Sequence, residues 1–410
     1  MMMIRHKRLR RLCLAGMAAV ISAGAAFPAL AADAWAPGED YGQFLERLCD
    51  NRIEYDELAD LMKNFYGPIK SGYNMIDGVK GDMADMAMQM RVQADDLVND
   101  VDGYRDIKKD NPQMSAAMNQ AIAGTRAGIK QLRNGAKKIE DKLDSVDSQK
   151  KGIDRSVNTA VRGLEFAINQ YQQLLSRRAL AAKAVELSQA AWNLQQTMQA
   201  QGLAVDSGIL SAAAQLSSAR QQLDSLDAGI ESVYNTICEL TGYDVTSAHP
   251  EIGPVPHADP SAIASIDVAA DKDKAAINNY NMITMRQSGG SKTMLETQLM
   301  KSTTETRNKI RNVEYGEEQV RSNIQTLYDS ILEAKAKFDS ASTAWQSAQI
   351  SWDAAQIQRQ NGLISDIQYM QAEVGYLTAK SGYECADLTL QQALRDYEWA
   401  VKGVSVTPAA

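Results

Sequence analysis

Proline placement constrains the fold of this chain more than any other sequence feature. No proline occurs between Pro112 and Pro250, and none occurs between Pro260 and Pro408. Because a proline inside a helix costs about 3 kcal/mol, only stretches without it can form long uninterrupted helices. Prolines cluster instead within residues 246–264, which predicts an extended linker. The sequence therefore predicts two long helical regions, one on each side of a proline-rich linker.

Apolar residues in the first helical region follow a three-four alternation. The run consists of Ile122, Ile129, Leu132, Ala136, Ile139, Leu143, Val146, Ile153, Val157 and Leu164. This spacing is typical of helices that wrap around each other as a coiled coil. A continuous helix over residues 152–201 would be about 75 Å long at 1.5 Å per residue. We therefore expect an all-α, elongated fold of antiparallel coiled-coil hairpins.

The two helical regions resemble each other. A shift of 160 residues places Trp192 on Trp352 and Gly202 on Gly362 without a gap. The same shift superposes Ala181, Ala184, Gln189, Leu203, Asp206, Ala212 and Ala219 on Ala341, Ala344, Gln349, Leu363, Asp366, Ala372 and Ala379. Such self-similarity indicates two tandem structural repeats.

The repeats are unequal in length. The first repeat spans residues 38–245 and the second spans 265–403, followed by a disordered tail at 404–410. The first has a surplus at about 67–151, which is expected to form an extra helical hairpin that turns near Asn111. The duplication therefore predicts one additional pair of helices that the second repeat does not have.

A short turn joins the two long helices of each repeat. These turns are Gly202-Leu203 and Gly362-Leu363. Glycine readily adopts the left-handed conformation that ends a helix. The aspartate that follows, Asp206 or Asp366, is expected to cap the next helix.

The first residues are typical of an export signal. Basic residues within positions 5–11 precede an apolar run from Leu12 to Phe27, and the small-residue motif Ala29-Leu30-Ala31 follows. We therefore expect a signal peptide over residues 1–31 and export of the mature chain to the periplasm or cell envelope.

Charge, hydropathy and motifs argue against several functions. The formal net charge is −8, and residues 1–31 hold basic but no acidic side chains, so the remainder is more acidic still. A role in nucleic-acid binding is disfavoured. No later stretch reaches the ~18 continuous apolar residues of a membrane helix. The sequence also has no phosphate-binding loop, nucleophile elbow or His-Glu-x-x-His motif, so we expect neither an enzyme nor a cofactor.

Sulfur-containing side chains offer two possible sites. Cys49 and Cys238 could meet in a disulfide if the two repeats pack with their ends together, and a buried free thiol is the alternative. Methionines crowd residues 83–90, and thioethers can bind Cu(I). Their spacing does not place them on one helix face, which favours packing over metal binding.

The clearest motif lies at the turn of the second repeat, where residues 359–373 read RQNGLISDIQYMQAE. This segment resembles the TolC family of outer-membrane efflux proteins, whose hairpin tips read roughly Arg-x-x-Gly-Leu-Ile-Ser-x-x-Asp before an Ala-rich helix. Residues 202–206 are a looser match. Residues 276–280 resemble the family's helix start, and residues 240–242 resemble the end of its repeat.

This resemblance covers residues 163–244 and 322–403 and implies an assembly. The family forms a homotrimer whose helices build a duct, working with a periplasmic adaptor protein and an inner-membrane transporter. By this resemblance, the tips that contact the adaptor would be Gly202, Leu203, Gly362 and Leu363. Asp206 and Asp366 would narrow the tunnel aperture.

One feature departs from the family pattern. Complete pores insert a pair of strands between the entering and descending helices of each repeat. A membrane strand needs ~9–11 residues that alternate apolar and polar. Neither residues 102–151 nor residues 301–322 show that alternation. We therefore expect a TolC-like helical barrel domain without the β-barrel.

Two functions remain open from the sequence. The first is an outer-membrane efflux protein or periplasmic tunnel subunit of a tripartite export system. The alternative is a non-transporting coiled-coil structural or interaction protein of the envelope, in which the apolar seams close within one chain as a bundle. A metal-binding periplasmic chaperone is a third hypothesis, and it would show metal-dependent melting.

Overall fold

The computed structural model describes residues 41–202, 206–244, 249–289 and 304–407. The expected signal peptide, Leu203 and residues 408–410 lie outside these residues. The expectation that the tail is disordered from residue 404 is wrong for its described part, because Val404 and Val406 are buried and the Val404 N–H donates to the Trp399 carbonyl (2.9 Å). The described chain is almost wholly helical, which confirms the predicted all-α class. It divides into two units, and the boundary between them follows Arg52.

The elements run in the following order. The helices are α1 (Tyr41–Leu48), α2 (Leu58–Phe65), α3 (Gly67–Asp110), α4 (Ser115–Ala200), α5 (Asp206–Thr241), α6 (Val268–Asn278), α7 (Tyr280–Gly289), α8 (Thr304–Gln360) and α9 (Asp366–Lys402). The short strands β1 (Arg52–Ile53) and β2 (Glu251–Ile252) pair, and 3₁₀ turns occupy Pro112–Met114 and Pro260–Ser265. Helix α1 belongs to the first unit, and α2 to α9 belong to the second.

The proline-free stretches form very long helices. Helix α4 has 86 residues and α8 has 57, which correspond to about 130 Å and 85 Å at 1.5 Å per residue. Helix α4 begins well before the 152–201 segment, because no proline follows Pro112 in this region. The second helix of the extra hairpin and the long helix of the first repeat are therefore one continuous helix. None of the described helices combines the length and the apolar character that crossing a bilayer requires.

Four long helices of the second unit pack side by side in the order α5, α4, α9, α8. Helices α4 and α5 form the hairpin of the first repeat, and α8 and α9 form that of the second. The α4–α9 seam joins the repeats. Within the described residues, α5 and α8 form no packed seam with each other. The array of long helices therefore does not close on itself, although α6 and α7 pack on part of α8 and α2 packs on part of α5.

Apolar burial holds the α8–α9 hairpin together. Ile324, Ile331 and Leu390 are fully buried. Burying such a side chain contributes about 1.5–3 kcal/mol. Positions at intervals of seven from these residues continue the seam along both helices, as expected of a coiled coil.

Two glycines fix how each repeat closes at its base. Gly242 ends α5 with a φ of +78°, and Gly403 ends α9 with a φ of +107°. A Cβ at Gly242 would lie 2.6 Å from Phe65 Cβ, and one at Gly403 would lie 2.1 Å from the Asn278 carbonyl oxygen. The end of the entering helix, α2 or α6, therefore packs directly on a glycine in both repeats.

The helix that resembles a family start at residues 276–280 begins earlier than that motif indicates. Helix α6 starts at Val268, where the Asp267 carboxylate accepts the N–H groups of Ala269 and Ala270. The helical path breaks at Asn279, and α7 follows from Tyr280. Tyr280 N–H donates to the Gly403 carbonyl (3.0 Å). The break thus lies where the chain meets the end of α9.

The proline-rich linker packs against the helices. Tyr234 Oη donates to the Pro250 carbonyl (3.0 Å), and Gln172 Nε2 donates to the Gly253 carbonyl (3.2 Å). Farther along, the buried Asp387 carboxylate accepts the Ala258 N–H (3.1 Å). The described part of the linker is therefore held to α4, α5 and α9, and its last residues enter the 3₁₀ turn Pro260–Ser265.

Candidate functional site: the tips of the long hairpins

The tip of the second hairpin is a glycine-terminated helix end. Gly362 has a φ of +68°. Leu363 N–H donates to the Gln358 carbonyl (2.8 Å), and Gly362 N–H donates to the Arg359 carbonyl (3.0 Å). These two bonds form a Schellman motif, which satisfies the last carbonyls of α8. A side chain at position 362 would strain the backbone, so glycine sets the turn.

Helix α9 begins with a capping box at Ser365. Ser365 Oγ accepts the Gln368 N–H (3.3 Å), and Gln368 Oε1 accepts the Ser365 N–H (2.9 Å). The expectation that Asp366 caps α9 is wrong, because Ser365 already occupies the capping position. Asp366 is the first helical residue, where a negative charge favours the helix dipole.

The two predicted aperture residues make equivalent contacts across their tips. Asp366 forms a salt bridge with Arg359. In the first hairpin, Gln199 Nε2 donates to Asp206 Oδ1 (2.6 Å). Both contacts join positions seven residues apart on the two sides of a glycine turn, and Gly202 has a φ of +73°. Both aspartates are exposed. Asp366 contacts a cation at the end of α8, whereas Asp206 contacts a neutral amide at the end of α4.

Apolar side chains project into solvent at and above the second tip. Leu363 is 72% exposed, Ile357 is 59% exposed and Ile350 is 72% exposed. Leaving large apolar surface in water is unfavourable, so a row of this kind indicates a contact surface. Leu203, the counterpart of Leu363 in the first hairpin, lies outside the described residues.

An aromatic ladder stiffens the second hairpin behind its tip. Its members are Phe338, Trp345 and Trp352 on α8 and Tyr369, Tyr376 and Tyr383 on α9. The ring centroids of Trp345 and Tyr383 lie 4.7 Å apart, and those of Trp352 and Tyr369 lie 4.9 Å apart. Offset aromatic pairs add about 0.5–1.5 kcal/mol beyond their buried area.

The first hairpin has only one of these rings. Trp192 is the counterpart of Trp352, but Val185, Ile209 and Leu216 occupy the positions of Trp345, Tyr369 and Tyr376. The internal repeat predicted the equivalence of Trp192 and Trp352, but it did not predict the aromatic ladder. The signal was present, because the ladder residues on each helix are seven positions apart.

A buried polar seam between α4 and α9 is the other feature that sequence reasoning missed. Glu165 is 3% exposed and accepts hydrogen bonds from Arg395 and from Trp399 Nε1 (2.6 Å). Asn169 Nδ2 donates to the Leu388 carbonyl (2.7 Å) one turn along. A charge this deep is tolerated only when it is paired and fully hydrogen-bonded. Glutamate in an apolar helical pattern gives no sequence sign of its distant arginine partner.

The same seam continues to both sides of Glu165. Arg162 pairs with Asp396 (2.8 Å), and Lys183 pairs with Glu373 (3.1 Å) farther toward the tips. Burial and the nearby Glu165 charge raise the pKa of Tyr55 to about 12, so this phenol stays protonated and accepts from Gln391 Nε2 (3.3 Å). The two repeats are thus joined by polar contacts along most of their shared length.

The cysteines and methionines singled out from the sequence differ in their burial. Cys238 is buried, and burial raises the pKa of its thiol. The Cys49–Cys238 disulfide stays a prediction. Met90 packs toward Gly135, whereas Met86 and Met88 are exposed. The methionines of α3 thus point in different directions, as their spacing indicates.

Comparison with known proteins shows likeness in structure. No protein-family model matches the sequence, and no curated protein matches it. The structure is similar to the outer membrane protein VceC from Vibrio cholerae, with 12% identity, a TM-score of 0.43 and coverage of 85% of this chain and 96% of that chain. It is also similar to the Campylobacter jejuni CmeC outer membrane channel, with 14% identity, a TM-score of 0.41 and coverage of 65% and 68%. A third similar structure is CusC, with 11% identity, a TM-score of 0.44 and coverage of 79% and 96%.

Proposed function

We propose that this chain is a tunnel subunit of a TolC-like export system in the cell envelope, in which several copies stand side by side around a duct. The observation that carries this proposal is the open array α5–α4–α9–α8, whose two outer helices form no packed seam with each other in the described chain. A bundle would close those edges within one chain. An open array needs neighbours to cover them.

The outer edge of α8 has the surface that a neighbour would cover. Leu332, Ile350 and Ile357 are exposed, and their spacings of 18 and seven residues place them on one stripe of the helix. On the opposite edge, Leu210 of α5 is 71% exposed. Burying these side chains between copies would stabilise the assembly by about 25 cal/mol for each Å² of apolar surface removed from water.

The tips and the partners follow from the motif resemblance. In this proposal the chain forms a homotrimer, and its hairpin tips meet a periplasmic adaptor that links the duct to an inner-membrane transporter. Exposed Leu363 offers an apolar contact at the end of the second hairpin. Asp206 and Asp366 are exposed beside the turns, where they would contribute negative charge to the aperture. The duct conducts passively, and opening requires only a rearrangement of the tip helices.

The mass and shape of the assembled protein test this proposal. We expect the purified mature chain to have the mass of three copies by light scattering at micromolar concentration and to appear as hollow tubes by electron microscopy. Ile350→Glu should weaken assembly, because it places a charge within the apolar stripe. Ser351→Glu is the matched control, since Ser351 is exposed and lies about a quarter turn away on the same helix.

A monomer at these concentrations, or solid rods in the images, would overturn the duct. It would favour the alternative of a coiled-coil structural protein. Equal effects of the two glutamate substitutions would exclude the α8 stripe as the contact between copies.

A further inference from the structure

The extra hairpin lies outside the packed array of α5, α4, α9 and α8 described above. It consists of α3 and residues 115–152 of α4, and α3 packs on α4 along most of its length. Its core contains Ala94, Val101, Ile122 and Ile129. A two-helix coiled coil leaves both of its flanks uncovered. The charged and apolar side chains on these flanks therefore indicate the kind of surface that would cover them.

Three ion pairs mark one side of this hairpin. They are Arg133–Asp95 (3.0 Å), Arg91–Glu140 (2.7 Å) and Lys80–Asp147 (2.8 Å). Arg126, Lys130 and Lys137 lie seven before, three before and four after Arg133, so they share its face of α4. All three are exposed. We call these three residues the basic flank.

The opposite side is marked by the contacts of Met90 and Leu97. Met90 Sδ lies 3.1 Å from the Cβ position of Gly135, and Leu97 Cδ1 lies 3.6 Å from that of Gly128. Acidic residues follow this side and the adjoining outer face of α3. They are Asp82, Asp85, Asp96 and Asp100, all exposed. We call these four residues the acidic flank.

Apolar side chains accompany the acidic flank. Met75, Val79 and Met86 lie 15, 11 and four residues before Met90 and are 66%, 45% and 51% exposed. Long basic side chains can lay their alkyl stems over such surface while their charged ends reach carboxylates. The acidic flank therefore suits a partner that presents arginine and lysine.

The charges of the two flanks find no ion-pair partner within the described chain, whereas three ion pairs join α3 and α4 on the side of the basic flank. One flank is basic and the other is acidic, and they lie on opposite sides. They are complementary, but they do not meet within one molecule. The ion pairs also fix the antiparallel register, which places Asp96 and Asp100 at the height of Lys130 and Arg126.

We propose that the extra hairpin is a second interface between copies of this chain, in which the acidic flank of one copy packs on the basic flank of the next. This inference rests on the side-by-side assembly proposed above. An interface of two different surfaces closes into a ring when each copy is related to the next by a pure rotation through a whole fraction of a turn. The equal height of the two flanks is what a rotation about an axis parallel to the hairpin requires. The hairpins would then form a collar around the duct at the end opposite the tips.

Site-directed crosslinking tests this contact directly. Gln93 lies one turn before Leu97 beside the acidic flank, Asn134 lies beside the basic flank at the same height, and both are exposed. In the otherwise unchanged full chain, Gln93→Cys with Asn134→Cys should give covalent dimers and trimers with a short bismaleimide. Each single variant is the control and should give only the background of the native cysteines.

Charge reversal tests complementarity. Arg126→Glu with Lys130→Glu, or Asp96→Lys with Asp100→Lys, should lower the yield of the crosslink about tenfold, because like charges would face each other. Combining all four changes in one chain should restore most of the yield. Lys138→Glu, an exposed change outside both flanks, should leave it unaltered.

The outcomes separate this inference from the proposed function. If the unmodified chain is monomeric by light scattering, the proposed function itself fails. If it assembles but the cysteine pair gives no adducts beyond the controls, only the hairpin interface is overturned. Reversals that lower the yield without rescue by the fourfold variant would also overturn it and assign the flanks to a different charged partner.

Discussion

The two faces of α9 join it to its neighbours by different chemistry. Toward α8, within its own repeat, α9 presents apolar and aromatic side chains such as Leu390 and Tyr383. Toward α4, in the other repeat, it presents Arg395, Asp396 and Glu384. One helix thus carries an apolar seam and a polar seam. The apolar seam supplies burial, and the polar seam allows only one alignment of the repeats.

This difference has a physical reason. Apolar coiled-coil seams tolerate sliding, because leucine-like side chains pack in several registers. Buried hydrogen-bonded charges do not, since any shift leaves one of them without a partner. Two copies of one ancestral hairpin offer each other several similar alignments. We infer that the polar seam selects among them, at some expense in stability.

The largest effect should come from breaking the polar seam at its centre. Arg395→Ala leaves Glu165 buried without its cation, which is expected to lower the free energy of unfolding by about 3–5 kcal/mol. Urea unfolding followed by circular dichroism measures the loss. Arg162→Ala is the comparison, since its salt bridge with Asp396 is more exposed and should contribute less.

Replacing both Glu165 and Arg395 separates the stability of the polar seam from its effect on register. Glu165→Leu with Arg395→Met should recover most of the stability lost in the single variant, because no charge is left buried. If register depends on the polar seam, the double variant should nonetheless show faster hydrogen exchange along α4 and α9. Full stability together with native exchange rates would contradict the assignment of register to this seam.

The next effect concerns the aromatic ladder on the other face. Trp345→Ala removes a half-buried ring stacked on Tyr383 and is expected to cost about 2–4 kcal/mol. Val185→Ala, the equivalent change in the first hairpin, should cost about 1 kcal/mol. Hydrogen exchange of the segments around each position reports the local loss.

A conservative variant separates the ring from its polar group. Trp345 Nε1 is buried and has no acceptor among the described residues. Trp345→Phe keeps most of the stacking and removes this donor, so it should lie within about 1 kcal/mol of the original chain. A loss as large as that of Trp345→Ala would show that the indole makes a specific contact and does not simply pack.

Much of this fold is predictable from sequence because local signals determine it. Prolines mark where long helices cannot continue, and glycines such as Gly362 mark where they end. The internal shift of 160 residues identifies the two hairpins. Each of these signals acts within a few residues or repeats in the sequence, so it is visible without a structure.

The order of the helices and the nature of their seams were not predictable in the same way. The pairing of Glu165 with Arg395 joins residues 230 positions apart, and nothing local connects them. The open edge between α5 and α8 is likewise a property of packing, since the same periodicity would also suit a closed bundle. The cap at Ser365 was a local feature that the neighbouring Asp366 obscured.

The smallest effect should come from exchanging the tip contacts of the two hairpins. Arg359→Gln gives the second tip the amide of the first, and Gln199→Arg gives the first tip a cation opposite Asp206. Because the Arg359 and Asp366 side chains are 42% and 69% exposed, each change should alter stability by less than about 1 kcal/mol. The rate of hydrogen exchange at residues 360–368 should rise slightly in Arg359→Gln. This rate should no longer depend on salt concentration, because the variant has no ion pair at the tip. A large global loss would show that the tip salt bridge supports the whole hairpin, which the exposure of both side chains argues against.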